Sequence, residues 1–533
     1  MRRLKSSTTP MMIFLLFLFL SMFGCDGEND ADSAQSDLDD DNDDSTPADD
    51  DVSPPADDDS VPDDDTASDD DTVPDDDATP DDYLAPWPQS NIEPDTYDET
   101  LMAGPLREKA QDYDACHVQF HQPYYGASIG VLFSDVTYTT VAGYYDWGDS
   151  CEFTGLHLGS QAARYYVTKD PEAKANAILV ANALDGNLKV TQTPGFIARY
   201  RGKQDPLIYQ GDDWCDADPS CHHVDSGEFG GDVWWGETSR DMYSGWFFGM
   251  ALAYDLIDDE PTRDMIRADV VEVVDTLIDH YWMILKEDGR PTNAGPNVLP
   301  PFQLSWLTVA YHMTGDARFR QELQKRLLNN YRPILQFESI SFFSRYAGYF
   351  GNCLAYETWY NLLRLAKVYF SHDDYQFLMH VFNTQVTSYT RLTHNTWFTA
   401  VLMGQHGYRP GDLPAAYHAQ LVEDLNDFRP PPLYRVLTPA KDPSTYTIDP
   451  ISQFLYDLQQ DLPWLGDLMG WVYPQALDPF PVSGYCCGEF IFQGSPFVID
   501  ACGEDNPKMV DAGVDYLIPY WLASYHKVIG KDF

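Results

Sequence analysis

"FGMALAYDLIDDEPTRD", residues 248–264, decides the fold. An apolar helical run closes on Tyr254, a short turn rich in Asp follows, and a more polar helix begins near Pro261. The same plan returns in "LGSQAARYYVTKDPEAK" (158–174), "LTVAYHMTGDARFRQ" (307–321) and "LLRLAKVYFSHDDYQF" (362–377). The tyrosines stand at 166, 254, 311 and 369, so the last two intervals are 57 and 58 residues. "NTWFTAVLMGQHGYRPGDLPAAYHAQLVEDL" (395–425) fits a further hairpin, and "YWLASYHKVIGKD" (520–532) repeats the first half of the unit at Tyr525. Helix pairs recurring in this way predict an all-α array. The turn inside each unit is short and the connections between units are long. Five and a half to six hairpins, the last completing the first, predict a closed (α/α) toroid rather than an open solenoid.

The chain begins differently. "MRRLKS" carries three positive charges and "MMIFLLFLFLSMFG" supplies an apolar run too short to span a bilayer, the layout of an export signal over residues 1–24. "SMFGC" resembles a bacterial lipobox, which implies cleavage before Cys25, acylation of its thiol and a membrane-anchored lipoprotein of the cell envelope, facing the periplasm or the cell surface. Residues 25–82 read as a stalk: positions 26–82 hold 26 Asp, one Glu and no Lys or Arg. Such a segment buries no core, and like-charge repulsion extends it to a reach of roughly 170 Å. Residues 83–143 follow, with "IGVLFSDVTYTTVAGYY" (129–145) alternating as a strand pair, and 144–533 form the helical domain.

Beyond residue 82 the chain keeps 58 acidic and 30 basic residues, a balance of −28. That excludes a nucleic-acid partner and direct adsorption to anionic lipid, leaving the lipid anchor as the membrane contact. Eight cysteines follow Cys25, an even number that predicts disulfides in an exported chain, with Cys215 and Cys221 spaced for a small loop. No GxSxG elbow, Walker loop, dinucleotide fingerprint or HExxH occurs, so those hydrolase, nucleotide, cofactor and zinc chemistries lose support. No cofactor is expected. The acid- and His-rich stretch 211–232, "GDDWCDADPSCHHVDSGEFGGD", reads as a disulfide-pinned lid, with a structural calcium as the alternative.

"DSCEFTGLHLGSQAARYYVTKD" (149–170), "TQTPGFIARYRG" (191–202), "GETSRDMYSGWFFGMALAYDLIDD" (236–259) and "DYLIPYWLASYH" (515–526) carry a resemblance. Over residues 130–530 the chain resembles the six-hairpin glycosidase superfamily, and within it a group of bacterial exported lipoproteins. The superfamily's (α/α)6 toroids include glycoside hydrolases, polysaccharide lyases and sugar epimerases. The resemblance implies that the first helix of each pair lines the inside and that the cleft lies where the long connections enter. It implies a carbohydrate partner and no particular reaction.

Those entrances hold the candidate residues. "WWGETSRDMY" (234–243) crowds Trp235, Glu237, Arg240, Asp241 and Tyr243, and "YYDWGDSCEFTG" (144–155) sets Trp147 among Asp146, Asp149 and Glu152. One reading of the first stretch is structural, with Thr238 and Asp241 as a capping box. The other is catalytic: acids on adjacent rim loops, beside tryptophans on which sugars stack, provide the carboxylate pair that glycoside hydrolysis requires. Asp149, Glu237, Arg240 and Asp241 are the catalytic candidates, with Arg240 expected to keep one carboxylate ionised. The carboxyl groups of Asp149 and Asp241, or of Asp149 and Glu237, are expected roughly 5–10 Å apart. Substrate-binding candidates are Trp147, Glu152, Trp235, Tyr243, Glu357, His394, Asp515 and Tyr516, of which Glu357 reads equally as a helix-surface charge. The alternatives are a uronate lyase or epimerase using Arg199, Arg201 or Arg240 as its cation, and a non-catalytic glycan binder.

Overall fold

The computed structural model describes residues 84, 85 and 87 and most of 105–529, leaving out 205–214, 216–218, 339–344, 407–414, 433–444, 485–491, 500–506 and the single positions or pairs 146, 287, 294 and 329–330. Cys25, the stalk, Asp146 and most acids of the 211–232 stretch lie outside the described residues. What is described is mostly helical, with two small antiparallel sheets. The described residues belong to one compact unit.

A first helix, α1 (Pro105–Phe120), precedes the pairs. The pairs are α2 (Ser150–Thr168) with α3 (Pro171–Lys189), α4 (Arg240–Leu256) with α5 (Glu260–Asp279), and α6 (Pro300–Thr314) with α7 (Ala317–Leu328). After a short α8 (Tyr331–Glu338) come α9 (Gly351–Tyr369) with α10 (His372–Val381), and α11 (Thr396–His406) with α12 (Ala415–Asp427). The peripheral α13 (Pro450–Asp461) and α14 (Pro463–Met469) precede the last helix, α15 (Val514–Tyr525), which continues through Pro519. The repeat tyrosines occupy the last turns of α2, α4, α6 and α9, as expected from their place before the short turns.

Local chemistry explains the turns. Asp170 and Asp259 cap α3 and α5 by accepting hydrogen bonds from the backbone N–H groups of Glu172 and Thr262, each beside a Pro in the first turn. Pro fits there because its missing N–H has no intrahelical partner to lose. The Asp of the repeat is therefore a helix start. First helices are apolar nearly all round because they are enclosed: Met242 to Ala253 of α4 is buried without interruption.

The first helices pack on one another: α2 on α4 and α15, α9 on α4, α6 and α11, and α11 on α15. Each second helix packs on its own first helix, and α1 takes that position beside α15. The expected strand pair is present as β1 (Gly130–Phe133) and β2 (Val141–Tyr145), joined by a late strand, β6 (Met509–Val510). The second sheet joins β3 (Tyr200–Lys203), β4 (Cys221–His223) and β5 (Asp232–Trp235) in the order β3-β5-β4. The disulfide Cys215–Cys221 forms, whereas Cys116, Cys151 and Cys353 are free thiols.

Contact between α2 and α4 is of a special kind. Gly155 on α2 faces Gly245 and Gly249 on α4 so closely that a Cβ on Gly155 would stand 2.0 Å from the carbonyl oxygen of Gly245. A Cβ on Gly249 would stand 2.2 Å from the carbonyl oxygen of Gly155. The two backbones touch, which only glycine permits.

Candidate functional site

The glycine contact fixes the site. Glu152 lies three residues before Gly155, and Asp241 four before Gly245, so both carboxyl groups emerge at the entrance ends of the paired helices. One carboxylate oxygen each of Asp149, Glu152 and Asp241 lies within 4.8 Å of the others. Glu357, in the second turn of α9, completes the cluster from the neighbouring helix. Its carboxyl lies against that of Glu152 and feels Asp241. Asp149 and Asp241 are half-buried, whereas Glu152 and Glu357 are buried.

Burial pushes the Glu152 carboxyl well above the usual range, and the charges of Glu357, Asp241 and Asp149 push it further. Burial does the same to Glu357, with Asp241 adding to it. No N–H or O–H donor of a described residue reaches either oxygen of Glu357. The Glu152 carboxyl lies against it, and two carboxyl groups attract only with a proton or a cation between them. Glu152 also accepts from Gln493 Nε2, at 3.3 Å and 3.5 Å.

Arg199 is a cation beside the cluster, in addition to the expected candidate Arg240. Arg199 Nη1 meets Asp149 Oδ1 at 3.3 Å. The same guanidinium donates to the carbonyls of Gly148 and Glu237 and to Ser239 Oγ. Arg240 donates to the Asn297 carbonyl and lies over the Phe302 ring. Glu237 stands at φ +49°, an uncommon conformation for a side-chain-bearing residue, and pairs with Lys286. The capping box does not form: Ser239 is the N-cap, with no side-chain cap bond. Its backbone is extended because β5 ends four residues earlier, and its hydroxyl is taken by Arg199.

Trp147 and Trp235 pair above this end, ring centroids 5.5 Å apart, both half-buried. Trp234 is covered by a stacked His222. Asp515 starts α15 nearby: its Oδ1 accepts from the Phe492 N–H, next to the Gln493 that reaches Glu152. The Phe492 carbonyl in turn accepts from Cys353 of α9 and Asn395 at the start of α11. Segment 492–493 thus ties four helix entrances together, a role that sequence reading missed.

Other candidates have different surroundings. Tyr243 is buried, donates to the Gly195 carbonyl and stacks on Trp306. His394, at φ +58°, pairs with Asp424 at 2.7 Å. Tyr516 is buried against Tyr113, donating to the Leu106 carbonyl. Arg201 is engaged by Asp232, which also binds Lys203 and Tyr125, so this acid of the 211–232 stretch is already neutralised. Among the described residues, the carboxylates at 149, 152 and 241 are the one set of three or more acids, His or Cys with ligand spacing. The acids lie in first turns, where free N–H groups and the positive helix end favour anions. Compared with family models, curated proteins and solved structures, the chain matches none.

Proposed function

We propose that this chain is an exported, lipid-anchored (α/α)6 toroid that hydrolyses glycosidic bonds at the Asp149–Asp241 end. The toroid reading rests on the order of contacts: α2, α4, α6, α9, α11 and α15 follow one another as neighbours, α15 returns to α2, and α1 stands in as the sixth outer helix. The observation that carries the function is the approach of Asp149 and Asp241 to within 4.8 Å beside a tryptophan pair. In this reading Asp149, ion-paired to Arg199, serves as the anionic partner. Asp241, with no basic partner among the described residues, exchanges the proton with the leaving oxygen. A short carboxyl separation of this kind suits a retaining pathway. Arg199 has four protein acceptors, so it is not offered to a uronate carboxylate, which favours hydrolysis over lyase chemistry.

The test is release of reducing ends, followed with the ultraviolet absorbance of unsaturated products, on a polysaccharide panel. Wild type is expected to raise reducing ends without the absorbance. Asp241→Asn should lower the rate about 100-fold or more while folding stays intact. A rise in absorbance moves the assignment to a lyase, and binding without turnover moves it to a glycan-binding protein.

A further inference from the structure

We infer that the carboxylates of Asp149, Glu152 and Asp241, with Glu357 buried against Glu152, hold a hard divalent cation of the calcium class. This does not depend on the hydrolytic reading: while the ion is bound, Asp149 and Asp241 are ligands and not an acid and nucleophile.

Two independent observations meet here. The first is spacing. Oxygens bound to one calcium at about 2.3–2.6 Å lie at most about 5 Å apart, and the three carboxylate oxygens fall within 4.8 Å of one another. A magnesium octahedron, with ligands at about 2.0–2.1 Å, needs every pair within about 4.2 Å, a tighter set than a calcium shell requires. The second is Glu357. It is 1% exposed, comes from a different helix, and lies against the Glu152 carboxyl with no N–H or O–H donor of a described residue reaching it. Buried carboxylates are ordinarily paired, hydrogen-bonded or coordinated to a metal. Among the described residues, no basic side chain is bonded to Glu152, Asp241 or Glu357, and Arg199 meets Asp149. The donors are all oxygen, which selects a hard cation and not zinc or copper. Gln493 is placed to offer its amide oxygen after a side-chain flip.

Terbium, a calcium-sized luminescent probe, tests this on the full chain. Trp147 is two residues from Asp149 and lies tilted against Trp235, so an ion in the cluster is expected to give tryptophan-sensitised emission. Ions condensed on positions 26–82 stay dark, because that stretch has no Trp or Tyr. The expected result is saturable emission displaced by calcium but not by equal magnesium. Glu357→Gln, which keeps the shape of a protonated carboxyl, and Asp241→Asn at the half-exposed position should each weaken the affinity about tenfold or more. Calcium should also raise the unfolding temperature of wild type and not of Glu357→Gln. Non-saturable emission, or equal affinity in wild type and both variants, would overturn the inference. Hydrolysis that persists in chelator with no saturable emission overturns it and leaves the hydrolytic reading standing. Saturable emission with no activity on any glycan does the reverse.

Discussion

Gly245→Ala tests the contact on which the site is built. The new Cβ would stand 2.5 Å from the carbonyl oxygen of Glu152 and 2.6 Å from its Cα, where ordinary contacts begin near about 3.4 Å. Both obstacles are backbone atoms inside α2, so no side chain can rotate away. The helices must part by about 1 Å, and Gly249, facing Gly155 one turn further on, prevents them from pivoting cheaply. Overpacking of this kind costs about 1–3 kcal/mol, and more where backbone is involved. Alanine's better helix propensity returns about 1 kcal/mol. The net expectation is a loss of about 2 kcal/mol, since the cost with immovable backbone lies at or above the upper end of that range, read from urea unfolding at neutral pH.

Because the clash falls on Glu152 itself, the same change displaces one carboxyl of the cluster relative to Asp241. A misplacement of about 1 Å costs on the order of 100-fold in a positioned reaction, so function should fall further than stability. Gly148→Ala is the control: its Cβ would find its nearest atom at 4.0 Å, on Arg199. If Gly245→Ala unfolds at the same urea concentration as wild type, α2 and α4 are not in backbone contact and the account of the site fails.

Other expectations are simpler. Burial favours the neutral form of Asp255, but His312 and Arg364 outweigh it and hold the carboxyl at about 2. A depressed pKa stabilises above the unfolded value, so about 2 kcal/mol should be lost as pH falls from about 4 to 2, and an acid titration of Asp255→Asn should lack that step. Burial, reinforced by Asp185, raises the Asp269 carboxyl to about 7. That stabilisation is present below the unfolded pKa and lost as pH rises through about 7, so Asp269→Asn should be more stable than wild type by about 1 kcal/mol or more at pH 8, by urea unfolding. Cys25→Ala should release the protein from membranes and abolish its labelling with palmitate; wild-type protein that stays soluble and unlabelled refutes the anchor.

Helix hairpins were legible because the repeat encodes them twice, in the enclosed run ending on Tyr and in the Asp that caps the second helix. Placing acids at the entrances followed from the same asymmetry, since long connections must lead into first helices. Partners contributed by distant sequence were not legible. Helix α1 has no repeat mate, so nothing in "PLREKAQDYDACHVQF" points to its place beside α15. Glu357 reads as a surface charge until α9 packs on α4, because lateral packing leaves no local signal. Thr238 lost the cap to Ser239 because a strand ends just before the helix, and Arg199 then took the Ser239 hydroxyl. The paired glycines were a signal available in the sequence: Gly155-xxx-Gly159 and Gly245-xxx-Gly249 are each spaced for close helix approach.

The two ends of the first helices treat buried charge differently, and that contrast locates function better than any single residue. At the short-turn end, Asp255 sits near the unfavourable C-terminus of α4, yet Arg364 and His312 both bond it and Tyr369 completes the network. Its charge is neutralised there, as a structural ion pair must be if it is not to destabilise. At the entrance end the helix termini favour anions, but each terminus contributes only about 0.3–1 kcal/mol. Taking a carboxylate out of water costs several kcal/mol, and Glu152 and Glu357 have no basic side chain bonded to them among the described residues. Replacing either by Leu or Gln would remove that cost at once, so a chain under selection for stability alone would not keep both. A proton shared between Glu152 and Glu357, or a cation, must balance the charge.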